Sequence, residues 1–131
     1  MIFIDSDCII DFLNGKETAR KIIENYKVEE LGTSQINVFE IFFGIFKRKK
    51  INENELISAD NFFNSLTIFS FDQKCGKISA RILSTLIKEG NIIDQNDCFI
   101  GSIMIKNGIS SIISNNKKHF SRINGIKVIT Y

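Results

Sequence analysis

The 131-residue chain has no proline, one histidine and three cysteines, and no Asp or Glu after Asp97. A lack of proline beside abundant Ile, Asn and Lys is what a biased genome produces, and it says nothing about mechanism. The cysteines (Cys8, Cys75, Cys98) form no C-x-x-C pair and are odd in number. That argues against a disulfide framework or a zinc site and for buried, reduced thiols, as in a cytoplasm. There is no signal peptide, and no apolar run is long enough to cross a membrane. No linker, repeat or low-complexity segment interrupts the chain, and its length suits one domain over residues 1–131. The net charge of +2 is too small to announce a nucleic-acid binder. Its distribution says more. Lys106, Lys117, Lys118, Arg122 and Lys127 fall in the acid-free C-terminal quarter. Such a stretch is either a solvated face or a surface for phosphate backbone.

Apolar Met1-Ile2-Phe3-Ile4 runs straight into Asp5. A short run rich in Ile and Phe reads as a buried strand, so the carboxylate sits where that strand leaves the core. In open parallel α/β sheets, ligands bind just beyond the carboxyl ends of the strands. Strand and helix signals then alternate. Helices are predicted over Cys8–Leu13, Glu17–Tyr26, a segment opened by Ser34 and closing at Lys47–Lys50, Glu53–Leu66, Asp72–Glu89 and Asp97–Asn107. Gly90 and Gly108 follow as stop signals. Strands are predicted over Glu30–Thr33, Thr67–Phe71, Ile109–Ile113 and Lys127–Thr130. In the Ser34 helix, Ile36, Phe39, Phe43 and Phe46 recur at mostly three- and four-residue spacing, predicting a core-facing stripe. Repeated strand–helix units imply an α/β fold with a parallel sheet covered on both faces.

Three acids stand at the edges of this scaffold. Asp5 ends the first strand. Glu40 interrupts the apolar run Val38–Gly44, where a charge is costly unless something pairs with it. Asp97 opens a predicted helix, where a plain capping role would also account for it. Asp94 lies in the same approach loop and Asp7 two residues beyond Asp5; helix capping explains either as well. His119 has no evident orienting partner, so a packed turn is preferred over a catalytic base.

Four segments resemble the motifs of PIN domains. Phe3-Ile4-Asp5-Ser6-Asp7-Cys8 is similar to the opening strand and Asp-Thr/Ser-Asn/Asp. Thr33–Gly44 is similar to the second motif, whose Glu precedes a Gly by four residues. Asp97-Cys98-Phe99-Ile100-Gly101-Ser102 resembles the third, and Ile112–Phe120 the closing Thr/Ser-x-Asn/Asp. Within the family the chain looks most like VapC, the toxin half of VapBC toxin–antitoxin pairs. The resemblance implies a three-layer α/β/α fold with a mainly parallel sheet of four to five strands. It implies a ribonuclease dependent on Mg²⁺, with Mn²⁺ as a substitute, in a prokaryotic cytoplasm. Asp5, Glu40, Asp97 and Asn116 would form the catalytic set. Asp5 and Asp97 would be the direct metal ligands, with Glu40 binding through water or orienting the attacking water. Ser114, Asp94, Ser6 and Asp7 would be accessory. The implied partners are an RNA substrate, a small VapB-like antitoxin and a second copy of the chain, with no membrane.

Asn116 departs from the fully acidic pattern, standing where many relatives carry Asp. It cannot supply charge, but its carbonyl can accept a bond from a metal-bound water. Asp5-Ser6-Asp7 also resembles the D-x-D of haloacid-dehalogenase-like phosphatases, yet the chain has no Asp-Asp dipeptide, which that fold would want. Two other readings stay open: a PIN nuclease of RNA maturation, and a PIN fold used only for binding.

Overall fold

Five short strands supply a single sheet in the computed structural model, which describes residues 1–131: β1 Ile2–Ile4, β2 Leu31–Ser34, β3 Thr67–Phe69, β4 Ser111–Ile113 and β5 Lys127–Ile129. All pairings are parallel, in the order β3-β2-β1-β4-β5. Seven helices flank them: α1 Ser6–Leu13, α2 Glu17–Glu24, α3 Gln35–Phe46, α4 Glu53–Ser65, α5 Gln73–Lys88, α6 Gln95–Lys106 and α7 Lys117–Phe120.

The alternation of side chains along a strand divides the interior into two cores. Phe3 and Ile112 point to one face, against Cys75, Leu86, Cys98, Ile103 and Met104 of α5 and α6. Ile4 and Ile113 point to the other, against Ile9, Ile23, Ile41, Ala59 and Phe63 of α1 to α4. This is the three-layer α/β/α arrangement the sequence implies. The three cysteines are buried and unpaired.

Local chemistry sets the helix ends. Asp72 accepts from the Cys75 N–H at 3.0 Å and caps α5. Gly90 and Gly108 follow α5 and α6 with φ of +69° and +68°, left-handed values that favour glycine. Two readings from the sequence need correction. Helix α6 begins at Gln95 with Asp94 as its cap, so Asp97 lies inside the first turn instead of opening it. In α3 the residues facing the core are Asn37, Ile41 and Ile45, whereas Phe39, Phe43 and Phe46 are all more than half exposed. Of the expected stripe, Ile36 alone packs inward, against the α5–α6 core. The four-residue α7 was missed as a helix, though its site was expected to be a packed turn.

Strand order fixes where a ligand can sit. From β1 the sheet grows to β2 and β3 on one side and to β4 and β5 on the other. The connections therefore diverge at the β1–β4 boundary and open a crevice beyond the strand ends. Asp5 follows β1 and Ser114 follows β4, one on each lip.

Candidate active site

Asp5 is held from three directions. Its N–H donates to the Ile113 carbonyl at 3.1 Å, continuing the β1–β4 ladder by one residue. Its Oδ1 accepts from the Ser6 N–H at 2.8 Å and from the Asn37 amide at 3.3 Å, and its Oδ2 from the Ser114 hydroxyl at 2.7 Å. The carboxylate is 5% exposed and has no cationic partner. Burial, then the neighbouring charge of Asp7, push its pKa from 3.8 to about 7, against the bonds from Ser114 and Ser6; Asp97 adds a further upward push.

Asn37 went unnoticed in the sequence. It is fully buried and reciprocates with Ser34 in a capping box at the start of α3: the Asn37 N–H donates to Ser34 Oγ and the Ser34 N–H to Asn37 Oδ1, each at 3.3 Å. Its amide then donates to Asp5 and, at 2.9 Å, to Ser6 Oγ. The Ser6 hydroxyl in turn donates to Glu40 Oε2, and Asn96 donates to Glu40 Oε1 at 3.0 Å. Glu40 is thus fixed at both oxygens by neutral donors. The spacing held a clue: Asn37 is three residues from both Ser34 and Glu40, which puts all three along one side of the helix.

Asp97 is 8% exposed and accepts at Oδ2 from the Asn116 amide, 3.0 Å, and from His119 Nδ1, 2.6 Å. Burial raises its pKa, the bond and charge of His119 lower it, and Asp94 and Glu40 raise it. Here one sequence reading fails: His119 does have an orienting partner. Asn116 gives its amide nitrogen to the same acid. Asp7 holds a loop: its Oδ2 accepts from the Asn115 N–H at 2.8 Å and from Ser114 at 3.4 Å. Asp94 caps α6, accepting from the Asn96 N–H at 2.9 Å.

Asp5, Glu40 and Asp97 thus meet at one edge of the sheet, with hydroxyl and amide groups between them. No three His, Cys, Asp or Glu side chains stand close enough to enclose an ion. The donor set nonetheless suits a hard divalent cation. It is rich in carboxylate oxygen; burial first, and neighbouring carboxylates after it, raise the pKa of Asp5 and Asp97, and no lysine or arginine is paired to any of the three acids. Mg²⁺ commonly takes only one or two carboxylates and keeps its waters, so a closed protein cage is not required. Exposed Lys117 and Lys118 follow Asn116 directly.

A parallel α/β sheet with acids gathered at its switch point defines a class of α/β proteins whose ligand crevice lies beyond the carboxyl ends of the strands. A PIN-domain family model matches residues 2–126. Ribonuclease VapC3 of Methanocaldococcus jannaschii is 37% identical over 102 residues, 76% of this chain and 94% of that protein. Ribonuclease VapC2 of Rickettsia felis is 32% identical over 97 residues, 74% of this chain and 71% of that protein. The solved structure of VapBC2 from Rickettsia felis, bound to a DNA fragment from its promoter, superposes with a TM-score of 0.85 at 25% identity, covering 100% of this chain and 99% of that one. The chain belongs to the PIN-domain family and, within it, to the VapC ribonucleases.

Proposed function

We propose that the chain is the toxin of a VapBC-type pair, a Mg²⁺-dependent endoribonuclease that hydrolyses RNA phosphodiester bonds. The observation that carries this is Asp5, a buried carboxylate without a counter-charge at the switch point of the sheet, within electrostatic reach of Asp7 and Asp97. Asp5 and Asp97 would hold the ion directly and Glu40 through water. Bound there, a divalent ion lowers the pKa of water and stabilises the leaving oxygen. The protein's own part is placement. Ser114 and Asn37 fix Asp5, and Ser6 and Asn96 fix Glu40 where it orients the attacking water. Lys117 and Lys118 attract the RNA backbone to the same lip.

Purified protein is expected to cut structured RNA with Mg²⁺ or Mn²⁺ and to stop when EDTA is added. Induced expression should arrest growth, and co-expression of the small neighbouring reading frame should restore it. Cleavage without growth arrest would favour a role in RNA maturation, and no cleavage with either ion would leave a binding module.

The relatives solved as VapBC complexes support an antitoxin partner. A groove between α1, α3 and α4, lined by Ile10, Leu13, Ile41, Ile45 and Arg48, runs up to Glu40, as a segment covering the acidic site requires. The outward aromatic face of α3 suits self-association: Phe39 and Phe43 stack at 5.6 Å, with Phe46 exposed beside them. Phe43→Glu is therefore expected to turn a dimer into a monomer in sedimentation equilibrium at micromolar concentration. A wild-type protein that is already monomeric there would remove the dimer from this reading.

A further inference from the structure

His119 sits outside the carboxylate set, yet it makes the shortest hydrogen bond to Asp97, 2.6 Å from Nδ1 to Oδ2. Two lone pairs at that separation would repel, so Nδ1 carries the hydrogen and donates. The Asn116 amide lies 3.3 Å from the same ring nitrogen. Both groups are donors, so they do not bond to each other; they converge on one oxygen. Asp97 Oδ2 is thereby saturated from the α7 side, while Oδ1 takes no hydrogen bond from any side chain and is not a buried orphan. A carboxylate with one oxygen tied twice and the other open is turned to a single side.

We propose that His119 is a positioning residue: its Nδ1–H, acting with Asn116, locks Asp97 so that Oδ1 faces the site and is available to a divalent cation. This rests on the reading of Asp97 as a metal ligand. Partners of this outer kind typically set metal affinity by about 10- to 100-fold. The backbone supports the role. Asn116 precedes α7 and His119 is its third residue; the His119 N–H donates to the Asn116 carbonyl at 3.2 Å, so one turn delivers both donors. Phe120, next in sequence, is fully buried in the α5–α6 core and anchors that turn.

Two substitutions separate this from a merely structural role. Asparagine places its amide nitrogen where Nδ1 stands and keeps the donor; leucine keeps bulk and loses it. Mn²⁺ binding to RNA-free protein, measured by calorimetry and by electron spin resonance, is the direct readout. His119→Leu is expected to weaken Mn²⁺ binding by about 10- to 100-fold, and His119→Asn to stay within about threefold of wild type by the same principle. RNA cleavage should recover in His119→Leu when Mn²⁺ is raised in proportion, a defect in metal requirement more than in turnover. Equal Mn²⁺ affinity in His119→Leu and wild type overturns the proposal while leaving the nuclease reading in place. So does an Asn variant as weak as the Leu variant. Wild-type protein that takes up no Mn²⁺ overturns both.

Discussion

Asp5→Asn is expected to reduce divalent-ion-dependent RNA cleavage by at least about 100-fold, since even an outer partner of a metal ligand is worth about 10- to 100-fold. The same change should make the metal-free protein more stable. Asn is as good an N-cap as Asp, so the start of α1 is preserved. Its carbonyl can accept from the Ser6 N–H and the Asn37 amide as Oδ1 does now. Its NH₂ would donate to Ser114 Oγ, and the Ser114 hydrogen would turn to Asp7 Oδ2, already 3.4 Å away. No buried polar group is stranded, while a buried charge facing Asp7 and Asp97 is removed. A gain of about 1–2 kcal/mol, or roughly 5 °C in thermal midpoint, is expected. Cleavage at the wild-type rate would sink the site; a clear loss of stability would show that repulsion does not govern it.

In EDTA, stability should fall as pH rises from about 4 to 7, the reverse of what salt-bridged carboxylates produce. Asp5 has its pKa raised on folding, from 3.8 to about 7. Between those values the folded protein binds more protons than the unfolded chain, so each rise in pH costs stability until the folded carboxyl has ionised. Asp7 and Asp97 are shifted the same way, both mainly by burial. Asp11 and Asp72 are lowered, by Lys16 and Lys106 respectively. Their contribution is present above the ordinary carboxylate range and disappears only below it, so it does not compete in this window. On the proposed reading Mg²⁺ would bind the ionised form and displace protons. It should stabilise the protein at pH 8, by about 2.7 kcal/mol at 100 times its dissociation constant, and have little effect at pH 5. Thermal scans at both pH values, with Mg²⁺ and with EDTA, measure this. A metal-free midpoint that is flat or climbs from pH 5 to 8 would contradict it.

The strand and helix positions and the acids were legible because each rests on a local signal. Ile and Phe before Asp5, Ser34 as a cap, Asp72 as a cap, and Gly90 and Gly108 as stops all act within one turn of their own position. Helix α3 was misread because it is apolar nearly all round, from Ile36 to Phe46, so periodicity alone cannot tell which side faces in. The buried polar residue was the better guide: Asn37 marks the inner side because the site needs its amide there. Asn96, and the partner of His119, were missed for another reason. Each acts on an acid that is remote in sequence, Glu40 lying 56 residues from Asn96 and Asp97 lying 22 from His119. A single chain does not reveal such pairings before the fold brings them together.

The bond from Ser114 to Asp5 spans 109 residues. In chain order β1 is made well before β4, so one lip of the crevice exists before the other. Until β4 docks, Asp5 lacks its neighbour across the crevice, and neither Asn116 nor His119 is present to hold Asp97. The site is therefore a property of the closed sheet: its two lips lie far apart in sequence and meet only when β4 pairs with β1.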